Sequence, residues 1–334
     1  VLGNEAIVRG CIESGVAFAS TYPGTPSSEI GNTLQRIAHK AGMYFEFSTN
    51  EKVAAEVAAA AAASGVRSLA FMKHVGVNVA ADAIMTLAAT GVDGGMVILT
   101  ADDPSAHSSQ NEQDNRYYSL LSLLPMFEPS TPAEAKEMIK EAFKTSEELR
   151  SPVLFRTTTR VNHARGVIEL MPREAEPGGG GFVKDPLRYV NIPAVARMNR
   201  VKQLERQQAA LQLAEASDLN VVEGNGGVGV VTAGVAYTYV KEWMEDVSIL
   251  KLGMSAPLPE KKVADFIRDK DLVLVVEELE PFLEDQVLRV ARQHGIGTPV
   301  FGKRTGHMPR AFEYDPDVIS RNGVVPVRGG PEPL

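Results

Sequence analysis

The chain has 334 residues, 44% of them hydrophobic and 23% charged, a composition that builds packed cores and is long enough for two or three domains. Its formal charge of −8 argues against a dedicated nucleic-acid surface and against a polybasic membrane anchor. One cysteine excludes an internal disulfide and a self-contained iron–sulfur cluster and fits a reducing cytoplasm, and no apolar run reaches the ~20 residues that span a bilayer.

In chain order, residues 3–156 alternate helix and strand patterns. Asn4 to Ser14 reads as a helix, and "VAFASTYP" (16–23) as a β-branched and aromatic strand ending at Pro23. "SSEIGNTLQRIAHKAG" is a helix opened by Pro26 and stopped by Gly42, and "MYFEFST" is a strand. The stretch "STNEKVAAEVAAAAAASG" (48–65) is a strong helix with a nearly all-alanine face and Glu51 in its first turn. "RSLAFMK", "GGMVILTA" and "PVLFRTT" are apolar strands of the kind buried on both faces, with helices "GVNVAADAIMTLAATG" and "TPAEAKEMIKEAFKTSEEL" between them. This alternation predicts a doubly wound parallel sheet over 1–170.

"PREAEPGGGGFVKDP" (172–186) has no period and is rich in Pro and Gly, so 171–224 reads as a linker followed by a polar helix. From 225 to 334 a second, smaller α/β block follows, with strands "VGVVTA", "VSILKLG" and "LVLVVEE" separated by helical patterns.

"GNGGVG" (224–229) matches a dinucleotide fingerprint in letters only. Its glycines precede a strand instead of following one, so it is a turn, as is "VDGGM" (92–96). No Walker A, HExxH, GxSxG or CxxC motif occurs, and the six histidines lack metal-ligand spacing. His74 and His107 stand out because each lies just past a strand's C-terminal end, the edge where open α/β sheets bind ligands. Four loops leave that edge: "TYPGTPSSE" (21–29), "STNEK" (48–52), "MKHVGVN" (72–78) and the long polar "ADDPSAHSSQNEQDNRYY" (101–118).

Each notable residue here has a plain structural reading. Ser48-x-x-Glu51 forms a capping box, and Thr25 caps the helix that Pro26 opens. Arg116 is a surface arginine, and Glu277 and Glu278 are the solvated end of their strand.

The four loops, in this order, together with "FRTTTRVNH" (155–163) and the pattern over 250–287, resemble the alpha subunit of the indolepyruvate–ferredoxin oxidoreductases, members of the thiamine-diphosphate-dependent 2-oxoacid oxidoreductase family. The resemblance covers nearly the whole chain. It implies a thiamine-fold pyrimidine-binding domain followed by a transketolase-C-terminal-like α/β domain. In the family the alpha subunit continues into a domain that holds the diphosphate through Mg²⁺ and then into cysteine-rich iron–sulfur clusters. This chain lacks a GDG…N magnesium motif and cluster cysteines, so it is expected to be the N-terminal half of such a subunit, inactive alone.

The same resemblance implies site residues. Glu51 matches the glutamate that hydrogen-bonds N1′ of the aminopyrimidine, with Glu56 as the second candidate, and Gly24 and His74 fall in cofactor-binding positions. Thr25 matches the substrate-side threonine, Arg116 the arginine that pairs with the 2-oxoacid carboxylate, and Gln110 and Asn111 the amides that line the pocket. No metal ligand is expected on this chain. The implied partners are a beta subunit, the C-terminal half of the alpha subunit, ferredoxin, coenzyme A and a 2-oxoacid, in the cytoplasm, with neither nucleic acid nor membrane. Pyruvate or 2-oxoglutarate specificity, and a non-catalytic assembly subunit of the same fold, are the alternative readings.

Overall fold

A computed structural model describes residues 1–174 and 176–322; residues 323–334 of the expected second domain lie outside the described residues. In chain order the first unit runs α1 (Gly3–Glu13), β1 (Phe18–Thr21), α2 (Ser28–Ile37), β2 (Tyr44–Phe47), α3 (Glu51–Ala63), β3 (Ser68–Lys73), α4 (His74–Thr90), β4 (Met96–Asp102), α5 (Tyr117–Ser122), β5 (Met126–Phe127), α6 (Pro132–Leu149), β6 (Val153–Thr158) and α7 (Thr159–His163). A connection carries α8 (Pro186–Tyr189) and the long α9 (Pro193–Ala216). The second unit runs β7 (Asn220–Glu223), β8 (Val228–Ala233), α10 (Ala236–Trp243), β9 (Val247–Leu252), β10 (Met254–Ala256), α11 (Glu260–Arg268), β11 (Leu272–Val276), α12 (Phe282–Gln293), β12 (Val300–Phe301) and α13 (Pro316–Asn322).

The first sheet has the order β10-β5-β6-β4-β3-β1-β2 and is parallel except for β10 at its edge. Its strands alternate apolar side chains to both faces. Leu69, Phe71, Val97 and Leu99 join a core with α1, α2 and α6, while Ala70, Met72, Met96 and Ile98 join the alanines of α3 and α4. Burial on both faces is what a doubly wound sheet requires, and it explains the absence of polar alternation in these strands. The alanine face of α3 is thus a close-packing surface: Ala54, Ala55, Ala58, Ala59 and Ala62 are buried, against β1, β3 and α4.

The second sheet, β12-β11-β8-β9-β7, is parallel except for β7. The "GNGGVG" glycines form the turn between β7 and β8, with Gly224 at φ +73°, so no fingerprint loop exists there. The two units are not separate bodies in sequence order. After β9 the chain passes Gly253, where a Cβ would meet the Leu219 carbonyl oxygen at 2.8 Å, and β10 then pairs with β5 of the first sheet. Among the described residues no helix is long and apolar enough to cross a membrane.

Two topological switch points result. In the first sheet β1 lies between β2 and β3, so the chain reverses direction across the sheet at β1/β3. In the second, β8 lies between β9 and β11. Such reversals leave a crevice at the carboxyl ends of the strands.

Candidate functional site

The loops after β1 and β3 flank the first crevice and touch each other. A Cβ added to Gly24 would lie 2.7 Å from Cδ of Lys73, so the glycine lets the lysine stem cross the loop; the Lys73 ammonium then donates to the Ser108 carbonyl at 3.3 Å. Thr25 follows, its Oγ1 3.4 Å from the Ser28 hydroxyl. It is not the expected cap: α2 begins at Ser28, with Ser27 preceding it and no side-chain cap bond.

Glu51 opens α3, but not through a capping box with Ser48. Asn50 takes the cap, accepting from the Val53 amide at 2.9 Å, and Ser48 donates instead to Glu46. With Asn50 and not Ser48 at the cap, Glu51 is the first helical residue and not the third. The reciprocal bond of the box is therefore gone. Glu51 is half-buried and makes no hydrogen bond or ion pair among the described residues. Its carboxyl end packs over Gly76 of α4, where a Cβ would approach Glu51 Cγ and Oε1 at 2.7 Å. Glu56 is exposed and pairs loosely with Lys52 at 3.8 Å, so it faces away from this crevice.

His74, the first residue of α4, is fully buried. Its Nε2 lies 3.1 Å from the Asn111 carbonyl oxygen and 3.3 Å from Asn111 Oδ1. A nitrogen facing a carbonyl carries a proton, and the other ring nitrogen, Nδ1, is buried without a partner. Gln110, next in the loop, is exposed and makes no hydrogen bond among the described residues.

Between the two crevices lies a layer of buried charge. Arg116 is 1% exposed and donates to both Asp114 oxygens, to Glu277 at 2.6 Å, and to the Glu278 and Glu280 carbonyls at 2.7 and 2.9 Å. Arg156 donates to Asp102 at 2.7 Å and to Glu128 at 2.6 Å. Glu277 also accepts from the Leu283 and Glu284 amides and so anchors the N-terminus of α12. Glu278 accepts from the Tyr314 amide at 2.9 Å. Burial sets most of the proton affinities here. It raises the carboxyls of Asp102 and Glu277 despite their arginines and pushes Glu278 up to about 7, against the Tyr314 amide. Burial works the same way on Asp114, but there Arg116 outweighs it and holds the carboxyl below its usual range.

Three expectations are corrected by this layer. Arg116 is not a surface residue, because its guanidinium is engaged by two carboxylates and two carbonyls of its own chain. Glu277 and Glu278 are not solvated ends but the floor of the second crevice. Sequence reading also passed over Asp102, Glu128 and Arg156, although charged residues ending apolar strands, as in "LTADD" and "LFRTTT", were the available signal.

Beside this layer a cavity of 680 Å³ is lined by Thr25, His107, Ser130, Thr159, Arg160 and Tyr239 among others, drawing on loops from both crevices. Of the residues singled out from sequence, the structure brings Gly24, Thr25, Glu51, His74 and Asn111 to the same sheet edge and withdraws Arg116 into the floor.

The family described as "Pyruvate flavodoxin/ferredoxin oxidoreductase, thiamine diP-bdg" matches residues 9–188. The indolepyruvate oxidoreductase subunit IorA of Methanothermobacter marburgensis is 53% identical over 328 residues, an alignment that covers 96% of this chain and 53% of that protein. The chain spans about half the length of the curated indolepyruvate oxidoreductase relatives it matches. In three dimensions it resembles the 2-oxoglutarate:ferredoxin oxidoreductase from Magnetococcus marinus, solved with 2-oxoglutarate, coenzyme A and succinyl-CoA bound, with a TM-score of 0.71, 16% identity, and coverage of 90% of this chain and 61% of that one. It also resembles a split-gene transketolase, an inactive β4 tetramer, with a TM-score of 0.62, 14% identity, and coverage of 97% and 94%. These two likenesses show the fold alone: an α/β architecture shared with a 2-oxoacid oxidoreductase and a transketolase over nearly the whole chain.

Proposed function

The chain belongs to the pyruvate flavodoxin/ferredoxin oxidoreductase family through its thiamine diphosphate-binding domain, and from that premise we propose that it is the pyrimidine-binding part of an indolepyruvate:ferredoxin oxidoreductase. The observation that carries the proposal is the Glu51 carboxylate: half-buried, unpaired, seated on Gly76, and placed at the carboxyl edge beside the β1/β3 switch point.

The residues fit an aminopyrimidine on two counts. A carboxyl without a protein partner is free to share a proton with ring nitrogen N1′, and the glycine beneath it leaves room for a flat ring to approach. The orphaned His74 Nδ1 marks a second polar position in the same wall. Thiamine diphosphate, held in part by Glu51, would supply nucleophilic carbon chemistry toward a 2-oxoacid when bound. Glu51 would hold the N1′ proton and so set the tautomer of the aminopyrimidine, a task of general acid–base kind. Thr25 would face the substrate side, and the polar loop carrying Gln110 and Asn111 would exclude water and fix His74. The single cysteine cannot ligate an iron–sulfur cluster, so clusters, Mg²⁺ and the diphosphate contacts are assigned to protein outside these 334 residues, and a second subunit, coenzyme A and ferredoxin complete the proposed assembly.

The test is turnover by the assembled enzyme. Indolepyruvate with coenzyme A should reduce ferredoxin, and Glu51→Ala should remove that activity. Turnover of 2-oxoglutarate but not indolepyruvate would overturn the substrate assignment, and full activity of Glu51→Ala would overturn the site. The chain alone should bind thiamine diphosphate weakly, because the diphosphate and metal contacts that supply most of the affinity lie elsewhere.

A further inference from the structure

With Arg116 locked in the floor, a carboxylate ligand needs another receptor, and the geometry points to Arg160. This inference rests on the reading of the sheet edge as a 2-oxoacid site. Arg160 lines the 680 Å³ cavity together with Thr25 and His107. Its guanidinium is already in the arrangement that recognises a carboxylate: Nε donates to Glu313 Oε2 at 2.7 Å and Nη2 donates to Glu313 Oε1. His107 Nε2 lies 3.0 Å from the same Oε1. A fork-to-fork pair with a histidine at its side is a complete carboxylate cradle.

The carboxylate now in that cradle is a single side chain on a segment that is itself anchored, by the buried Lys303, Met308 and Tyr314. Glu313 belongs to a strap, residues 302–315, that leaves β12 and crosses to the long polar loop of the first unit. The strap is tied to that loop by two bonds, from the Phe312 amide to Glu112 and from the Glu313 amide to the Ser105 hydroxyl. Its crossing is strained. Phe312 has φ +72°, a region that bulky residues rarely occupy, and its ring is left 64% exposed. On the other side of the tie Ser105 and Ala106 also have positive φ, at +68° and +47°. Strain gathered on both sides of one contact lowers the cost of opening it.

Arg160 differs from Arg116 in the way a receptor must. Its side chain is 54% exposed, whereas that of Arg116 is 2% exposed. A further polar group of the same cavity awaits a partner: the Ser130 hydroxyl is buried without a hydrogen bond.

We propose that Arg160, with His107 beside it, is the receptor for the carboxylate of the 2-oxoacid, and that Glu313 occupies it as an internal substitute until substrate displaces its side chain. The ligand class is a monocarboxylate whose flat apolar body lies in the cavity toward Thr25 and Tyr239. Substrate binding would then exchange one Arg–carboxylate pair for another.

The test uses indole-3-acetate and its neutral isostere indole-3-acetamide, titrated calorimetrically into the chain. Glu313→Gln empties the cradle of charge and should tighten indole-3-acetate at least tenfold, leaving the amide unchanged. Arg160→Gln in the Glu313→Gln background should return the acid to the affinity of the amide. If Glu313→Gln does not fold, Glu313→Asp, which draws the carboxylate back from the fork, should act in the same direction. Equal affinity of wild type and variant for the acid, or equal binding of acid and amide by the variant, would overturn the proposal. Thiamine diphosphate binding does not involve Arg160, so its loss or retention reports separately on the broader functional reading.

Discussion

Glu51 and Gly76 are complementary: the glutamate's carboxyl end lies where a side chain at position 76 would begin, 2.7 Å from an ideal Cβ. The first turn of one helix thus uses the missing side chain of the next. Gly76→Ala should displace Glu51 without breaking the fold, since the obstructed atoms end a flexible side chain and alanine improves helix propensity by ~1 kcal/mol. The expected result is a melting temperature near wild type and thiamine diphosphate affinity in the assembled enzyme reduced about tenfold or more. Unchanged affinity would mean that the Gly76 floor does not matter for the cofactor.

The Arg116 layer predicts a stability effect in place of a substrate effect. Arg116→Ala would strand Asp114 and Glu277 as buried unpaired carboxylates and should cost ~3–5 kcal/mol in denaturant unfolding. A stably folded Arg116→Ala enzyme with only a raised KM for the 2-oxoacid would restore the role expected from sequence.

Glu278 makes folding pH-dependent. Its carboxyl is raised from 4.5 to about 7 by burial, so the folded chain holds this proton more tightly than the unfolded chain does. The stability it contributes is full below pH 4.5 and is lost as pH rises through about 7. Lys303, lowered by burial to about 8 with Glu277 and Glu278 opposing the shift, acts in the opposite sense: its contribution is present above its ordinary range and is lost as pH falls through about 8. Glu278→Gln should therefore raise the melting temperature at pH 8 and leave it nearly unchanged at pH 5. An equal effect at both values would contradict the assignment.

The start of α3 separates two readings of one short segment. Asn50→Ala should cost ~1 kcal/mol, the usual value of a helix cap, whereas Ser48→Ala should stay within ~0.5 kcal/mol. Chemical denaturation of the two variants checks this, and the reverse order would reinstate the Ser48 capping box.

Much of the fold was legible because its strands are buried on both faces. Runs such as "SLAFMK" and "MVILTAD" carry no polar alternation, and the helices between them imply parallel order. What escaped were β5, β7, β10 and β12, of two to four residues each, too short to show a period. One of them, β10, exists only because the second unit reaches back to pair with β5 at the edge of the first sheet, a tertiary event with no local sequence mark. The site divides in the same way. Gly24, Thr25, Glu51 and His74 lie at the sheet edge where their positions in the chain put them, because each follows a strand closely and chain order fixes its place. Arg116 was misread because an arginine in a polar loop looks exposed until the second unit supplies Glu277 from 161 residues away. Arg160 carries no local mark within "FRTTTRVNH", since its carboxylate partner comes from a strap 153 residues further on.

On the proposed reading Glu51 serves the cofactor and not the helix. The most direct test is deuterium exchange at thiazolium C2 in the assembled enzyme, wild type against Glu51→Gln. Glutamine keeps the size and polarity of the side chain but cannot exchange a proton with N1′. The account predicts exchange slowed by ~10²–10⁴-fold with an unchanged melting temperature. Exchange at the wild-type rate in a folded, cofactor-loaded Glu51→Gln enzyme would contradict it.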